Sequence, residues 1–239
     1  MTYLTIHETY FSIYVNLLKK NGLIRSYYHN NDHNLYIKLF EGSFHKKLNK
    51  KGDYFNQYQK IYHFVGMKEY FFKDLQYNNY ENMRKHFPKD FNFMPKTYDH
   101  PKDQKEIEKK FGKYKLNIKD LWIVKPKRES CGIGIHIFKS LEKEKKRKSK
   151  SFIISKYLSH PHLIYKKKYD MRIYVLVTGF QPLRIYLYKE GLIRIAAEKY
   201  KMNIKSLDNK YLHLTNTAIN KYNKKYKNPK KEIDEKSNK

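Results

Sequence analysis

The sequence contains a single cysteine, Cys131, and only 9 glycines and 7 prolines among its 239 residues. One cysteine excludes an internal disulfide framework and any zinc site built from several cysteines. No apolar run approaches the roughly 20 residues that span a bilayer. The first residues also lack the basic leader and unbroken apolar core of a secretory signal. We therefore expect a cytoplasmic protein with no membrane partner.

Acidic residues are also few, with 23 Asp and Glu against 52 Lys and Arg, for a formal net charge of +29. A positive field of this size favours acidic partners, such as nucleic acid or an acidic protein surface. A lysine-rich solvated surface explains the same charge equally well. Nucleic acid is a poor candidate, because no helix-turn-helix, zinc-finger or RNP signature is visible. Charge alone therefore does not identify the partner.

Hydrophobic residues make up 40% of the chain and aromatic residues 16%, which is enough to fill a core. Residues 102–115 predict a charged surface helix or loop, and residues 139–151 predict a solvated, mobile loop. The later part of the chain has short apolar runs separated by turn residues, a pattern typical of strands. The predicted strands are 121–125, 134–138, 152–158, 169–178 and 183–189, the last two forming a hairpin. We expect an α+β fold.

The segment 122–137 has the composition of a phosphate-binding loop. It places Lys125 at a strand end, then a basic loop with two glycines, then a returning strand. Glycines let backbone N–H groups approach phosphates, and a lysine supplies a point charge. The Walker pattern is absent, and an ordinary hairpin turn explains the segment better when it is taken alone. Cys131 lacks an evident activating base, so a bystander thiol is a better interpretation than a nucleophile.

Charged side chains also stand on the predicted hairpin. Asp170 and Arg172 are two positions apart on one strand and therefore point to the same face. They can pair with each other or orient a ligand, and the plain alternative is a surface ion pair worth ~0–1 kcal/mol. Arg184 occupies the polar face of the next strand. Several charged positions on consecutive strands indicate a lined cleft.

These segments, in this order, resemble the motif set of the tubulin–tyrosine ligase-like family of ATP-grasp amino-acid ligases. The resemblance covers roughly residues 58–222 and is nearest to the polyglutamylase branch. The matching segments are WIVKP (122–126), the glycine loop, SKYLSHPHLI (155–164), KYDMRIYVLVT (168–178), PLRIYLYKEG (182–191) and HLTN (213–216), with residues 61–98 similar to the segment that precedes them.

The resemblance implies an ATP-grasp-like α+β fold in which mixed or antiparallel sheets enclose a nucleotide cleft. Residues 61–167 would form the first part, with the glycine loop and a hinge strand. Residues 168–222 would begin an incomplete C-terminal domain. An uncertain N-terminal segment, 1–60, and a polar basic tail, 223–239, would flank these parts.

The resemblance also assigns roles to individual residues. Arg172 would be catalytic, near the transferring phosphate, and Arg184 would hold the carboxylate of the incoming amino acid through its bidentate fork. The strands should bring these arginines, Lys125, Lys156 and Asp170 around one cavity. The nucleotide-binding residues that the resemblance implies are Lys125, Cys131, Gly132, Ser155, Lys156, Tyr157, Leu158, Lys168, Tyr169, Asp170, Thr215 and Asn216.

The reaction that the resemblance implies needs no protein nucleophile. A side-chain carboxylate of tubulin attacks the γ-phosphate of ATP, and the amino group of free glutamate or tyrosine then displaces phosphate from the acyl phosphate. The implied partners are the acidic C-terminal tails of tubulin and a free amino acid, on cytoplasmic microtubules. The Mg²⁺ ligands belong to an E-x-N element that we expect beyond residue 239. The alternative is a non-catalytic basic module that binds acidic tubulin tails or other polyanions.

Overall fold

The computed structural model describes residues 2–5, 12–26, 35–37, 60–61, 66–147 and 151–226. The chain divides into two compact units, residues 1–76 and 77–239. Within the described ranges, no helix is both long enough and apolar enough to cross a membrane. Most of the segment 1–60 lies outside the described residues.

The first unit contains a parallel four-stranded sheet in the order β2-β1-β3-β4. Its helix α1 follows β1 and supplies the crossover that a parallel pair of strands requires. The elements are β1 (Thr2–Thr5), α1 (Ser12–Lys20), β2 (Ile24–Ser26), β3 (Leu35–Ile37), β4 (Lys60–Ile61), α2 (Lys68–Phe71) and α3 (Lys73–His86). The second unit begins inside α3.

The second unit is built on an antiparallel four-stranded sheet in the order β5-β8-β6-β7, and a second antiparallel sheet has the order β11-β10-β9. The prediction of an α+β fold with antiparallel sheets is confirmed. The elements are β5 (Thr97–His100), α4 (Gln104–Phe111), β6 (Trp122–Pro126), β7 (His136–Ile137), α5 (Leu141–Lys145), β8 (Phe152–Lys156), β9 (Leu163–Ile164), β10 (Lys167–Phe180), β11 (Leu183–Ile195), a 3₁₀ helix (Ile204–Ser206), α6 (Lys210–His213) and α7 (Thr217–Asn220).

The four-stranded sheet of the second unit is apolar on both faces. Successive side chains of a strand point to opposite faces, so β6 contributes to two clusters, while β8 contributes to one and is followed by Tyr157 of the other. The α4 face consists of Trp122, Val124, Phe152 and Ile154, packed with Ile107 and Phe111 of helix α4. The Ile123 face consists of Leu121, Ile123 and Ile137, packed with Tyr157 and Leu207. The sheet therefore separates two environments.

Two charged segments are more ordered or more buried than their composition indicates. Helix α4 buries Ile107 and Phe111, which lie four positions apart on one side of the helix. Helix α5 occupies part of the segment that was predicted to be a mobile loop, so that prediction is wrong for residues 141–145. Its buried Glu144 bonds His136 and Arg147, and these partners offset the cost of burying a carboxylate. Residues 148–150 lie outside the described part of the chain.

The predicted hairpin is confirmed, and both of its strands are longer than the sequence indicated. Its register shifts once between Ile173 and Val175 and again between Val177 and Gly179. Gly191 lies opposite Ile173 beside the first shift, where an added Cβ would come within 2.6 Å of the Arg172 carbonyl oxygen. A glycine is therefore required there. Beyond its base, the hairpin carries exposed apolar side chains on both strands.

We predict that Phe111→Ala lowers the free energy of unfolding by about 3–5 kcal/mol, because it empties the centre of the α4-face cluster. The Phe111 ring lies 4.8 Å from that of Phe138 and 5.1 Å from that of Trp122, measured between centroids. Urea unfolding followed by tryptophan fluorescence measures the loss. Phe87→Ala is the control, because Phe87 is 51% exposed. Equal losses in the two variants would contradict this packing.

Candidate functional site

Two lysines lie on the Ile123-face side of the molecule. Lys125 of β6 pairs across the sheet with Ile153 and alternates with the α4-face residue Val124. Lys168, at the start of β10, donates from Nζ to Tyr157 Oη at 3.2 Å. Burial, and next the positive charge of Lys125, lower the pKa of Lys168 to about 8, against the opposite effect of Asp170. Two ammonium groups that repel each other across a site are suited to an anionic ligand.

Asp170 is held by two partners at the base of the hairpin. Arg194 donates to both carboxylate oxygens, from Nε at 2.6 Å and from Nη2 at 2.8 Å, and the Thr215 hydroxyl donates to Oδ2. Burial raises the pKa of Asp170, but hydrogen bonds from Arg194 and Thr215 outweigh it and hold that pKa below its usual range. The partner of Asp170 is therefore Arg194, its cross-strand neighbour, rather than Arg172. Arg194 was missed because the second strand was predicted to end at residue 189.

The glycine loop lies against the HLTN segment. Cys131 and Gly132 have φ values of 56° and 85°, in the region that favours glycine. An added Cβ on Gly132 would come within 2.8 Å of Asn216 Oδ1 and 2.5 Å of Ile219 Cδ1. The structure thus places Gly132 of the glycine loop against Asn216 of the HLTN segment.

Asn220 anchors the HLTN segment beside the end of β11. It is fully buried; its Oδ1 accepts from the Ala197 amide at 2.7 Å, and its Nδ2 donates to the Leu214 carbonyl at 2.8 Å. These bonds fix the segment that carries Thr215 and Asn216. Sequence reasoning missed Asn220, because its burial depends on packing against β11 rather than on any local pattern.

Lys156 lies on the other side of the sheet from Lys125. It pairs across the sheet with Trp122, and its Nζ stands 5.3 Å from the centroid of that ring. Its ammonium bonds the Asp120 carboxylate. The prediction that one cavity contains the side chains of both lysines is therefore wrong, because Lys156 has the alternation of the α4 face.

Three further residues that the resemblance assigns to nucleotide binding, Ser155, Leu158 and Tyr169, lie in or next to β8 and β10. Ser155 is buried and receives a hydrogen bond from Thr97 Oγ1 at 3.0 Å. Leu158 is exposed, and Tyr169 Oη lies 3.2 Å from His162 Nδ1. None of these side-chain contacts involves Lys125 or Lys168.

The two predicted arginines lie far apart on the hairpin. Arg172 is exposed, shares a face of β10 with Asp170, and its charge helps to lower the pKa of Asp170. Arg184 is opposite Gly179, nine positions further along β10 than Asp170. At ~3.3 Å per residue this separation is roughly 30 Å. The prediction that Arg184 lines the same cavity is therefore wrong, because an extended strand carries it away from the base.

Lys127, at the start of the glycine loop, stabilises the fold through a buried ion pair. Lys127 is buried, and its Nζ lies 2.5 Å from Oδ1 of Asp99, which is also buried. Breaking such a pair would leave one buried charge uncompensated, which is strongly destabilising. This ion pair ties the loop to the edge strand β5.

A magnesium site does not fit the residues of this region. Among the described residues, no group of three or more His, Cys, Asp or Glu side chains could hold a metal ion. The carboxylate of Asp170 is already bonded to Arg194 and Thr215. We assign no metal ligand in the described part of the chain.

The α+β scaffold brings Lys125 and Lys168 together in the second unit, an arrangement whose charge suits an anionic ligand. The sequence pattern of the tubulin-tyrosine ligase family matches residues 48–239. The chain belongs to that family.

Within the family, this chain is similar to tubulin glutamylases and lies near the polyglutamylase branch. Mouse tubulin monoglutamylase TTLL4 is 39% identical over 171 residues, covering 71% of this chain and 14% of the relative. A probable beta-tubulin polyglutamylase of Tetrahymena thermophila is 41% identical, with the same coverage. Mouse tubulin polyglutamylase TTLL6 is 37% identical over 198 residues, covering 82% of this chain and 23% of the relative. The chain thus spans less than a quarter of the length of these relatives.

We predict that Arg194→Gln lowers stability at neutral pH by about 1 kcal/mol, a value reduced for solvent screening because both partners are partly exposed. The depressed pKa of Asp170 stabilises the fold above the ordinary carboxyl pKa, and this contribution is lost as pH falls through the folded pKa. The difference between wild type and variant should therefore shrink in acid.

Urea unfolding at a series of pH values measures this difference, and Arg184→Gln at the hairpin tip serves as the control. A stability difference that stays the same from neutral pH into strong acid would contradict the assigned pair.

Proposed function

We propose that this chain is the nucleotide-binding part of an ATP-dependent ligase that adds glutamate to tubulin. The observation that carries the proposal is the placement of Lys125 and Lys168 together, beside the region where Gly132 meets Asn216. The names of the relatives, tubulin glutamylases, favour glutamate over tyrosine. Membership of the tubulin-tyrosine ligase family supports ATP as the nucleotide.

Each part of the site has a task in this proposal. Lys125 and Lys168 neutralise phosphate charge, and the backbone of the glycine loop at Cys131 and Gly132 approaches the phosphates without steric hindrance. Backbone groups at the end of β8 lie beside the adenine, so the side chain of Lys156 is not needed there. Arg172 extends toward the transferring phosphate from the same face of β10 as Asp170.

The proposed reaction is an amide ligation. A side-chain carboxylate of tubulin attacks the γ-phosphate of ATP and releases ADP, and the amino group of glutamate then displaces phosphate from the resulting acyl phosphate to form the amide. The contribution of this chain is positioning and charge neutralisation, so no protein nucleophile is required. The net charge of +29 would draw the acidic tails of tubulin to the protein and speed their association.

The second candidate is a basic module that binds acidic tubulin tails without catalysis, and the net charge favours it. The two functions differ in their response to nucleotide. A ligand that binds only the folded state raises the melting temperature. ATP-dependent stabilisation supports the ligase, and its absence supports the module.

We predict that Lys125→Ala weakens ATP binding tenfold to a hundredfold, about the value of a hydrogen bond from a charged group to phosphate. Lys156→Ala is a matched control, because it removes the same group from the opposite face of the adjacent strand. Isothermal titration calorimetry with ATP measures both. A larger loss for Lys156→Ala than for Lys125→Ala would overturn the assignment of the site to the Ile123-face side.

We predict that Arg172→Ala reduces ligation a hundredfold or more, because its charge stabilises the transferring phosphate only in the transition state. Arg184→Ala should stay within a few-fold of wild type, since it lies roughly 30 Å along the hairpin. Both are measured in a protein that joins this chain to the expected E-x-N element, incubated with tubulin, ATP, Mg²⁺ and labelled glutamate. The reverse order of the two effects would show that the hairpin base is not the reaction site.

A further inference from the structure

A chain of hydrogen bonds connects Lys168 to the backbone of the 3₁₀ helix. Lys168 Nζ lies 3.2 Å from Tyr157 Oη and 4.6 Å from the centroid of that ring. Tyr157 Oη lies 2.7 Å from His213 Nδ1, and His213 Nε2 lies 3.0 Å from the carbonyl oxygen of Ser206. Tyr157 and His213 are both 4% exposed. Three side chains from three segments thus form one continuous path.

The direction of each proton in this chain follows from its fixed end. A carbonyl oxygen only accepts, so His213 Nε2 carries the proton donated to Ser206. Burial is the main cause that lowers the pKa of His213 to about 4, so the ring is neutral and Nδ1 accepts from Tyr157. The Tyr157 oxygen therefore presents its lone pairs to the ammonium of Lys168.

A neighbouring tyrosine lies beside this chain without taking part in it. The hydroxyl of Tyr200 donates to the Ser159 carbonyl oxygen at 2.8 Å. Its distance to Tyr157 Oη is 3.5 Å, and the single proton of each hydroxyl is already directed elsewhere. Tyr200 is therefore a packing neighbour of Tyr157 and a matched control for it.

We propose that Tyr157 and His213 are positioning residues that aim the Lys168 ammonium at the nucleotide phosphates, through a hydrogen-bond chain anchored on the Ser206 carbonyl. The proposal rests on the proposed function only in taking phosphate as the ligand of Lys168. The HLTN segment thereby acts through Tyr157 as well as through its own contacts. Its first residue, His213, orients the hydroxyl that holds the lysine.

The groups around Lys168 set its pKa, so a change in the hydrogen-bond chain can be measured as a change in that pKa. Lys125 of β6 opposes its positive charge, Asp170 of β10 favours it, and His213 of α6 is neutral. Tyr157 stays protonated, because burial raises its pKa well above the usual range. The acceptor oxygen of Tyr157 therefore stabilises the charged form of Lys168, and its removal should lower the pKa of that lysine further.

The test measures the titration of Lys168 in the full chain without ligand, by NMR of ¹³C-labelled lysine, with the signal assigned from Lys168→Arg. Tyr157→Phe should shift the Lys168 midpoint down by about one pH unit. Tyr200→Phe removes a hydroxyl from the same cluster and should leave the midpoint unchanged. An unchanged midpoint in Tyr157→Phe, or an equal shift in Tyr200→Phe, would overturn the proposal.

A second pair of variants tests the His213 link and protects against a Tyr157 variant that fails to fold. His213→Leu removes the acceptor of the Tyr157 proton and should also lower the Lys168 midpoint. His213→Asn places an amide oxygen near the position of Nδ1 and should restore most of the wild-type midpoint. A merely structural role for His213 would produce no such rescue, and equal midpoints in the two variants would overturn its part.

ATP titration separates this inference from the proposed function. In Tyr157→Phe, ATP affinity should already fall several-fold at pH ~6.5, where Lys168 is charged in both proteins but no longer held by Tyr157, and should fall up to about tenfold further near pH 9, where fewer Lys168 side chains stay charged in the variant. If the wild-type protein does not bind ATP at any pH, the proposed function fails. The ligand-free titration of Lys168 still decides whether Tyr157 and His213 position that lysine.

Discussion

The ion pair of Asp170 with Arg194 joins the parts of the molecule on which the site depends. It locks the register at the base of the hairpin, and the Thr215 hydroxyl bonded to the same carboxylate ties the HLTN segment to that base. The buried amide of Asn220 holds the other end of this segment beside β11. The glycine loop can therefore meet Asn216 at a fixed place next to the two lysines.

The central sheet gives its two faces different tasks. The α4 face holds the aromatic cluster. On this side the Lys156 ammonium forms an ion pair with Asp120, so the charge of Lys156 stabilises the scaffold. On the Ile123 face, the hydroxyl of the buried Tyr157 accepts a hydrogen bond from Lys168 Nζ. In the second unit, a lysine from the hairpin and a lysine from the sheet thus share one site, and their mutual repulsion favours an anion between them.

The sequence predicted the strands well, because apolar alternation is a local property. It failed where contacts are non-local. Arg194 lies opposite Asp170 because the register of the hairpin shifts twice between its turn and its base. Gly191 lies beside one of these shifts, where a Cβ would clash with the Arg172 carbonyl oxygen. Arg184 has the same guanidinium group, but it lies roughly 30 Å along the hairpin from Asp170. The expected boundary at residues 167–168 lies within one residue of the start of β10 at Lys167, and it stays a prediction.

The central claim is that the nucleotide phosphates bind on the side of Lys125 and Lys168. An ATP analogue that carries an acyl phosphate at its terminal phosphate acylates lysines within reach, and mass spectrometry identifies the modified residue. The account predicts labelling of Lys125 or Lys168 that excess ATP suppresses, while Lys127 and Lys156 remain unlabelled in their ion pairs. ATP-suppressible labelling of Lys156, with neither Lys125 nor Lys168 modified, would contradict it.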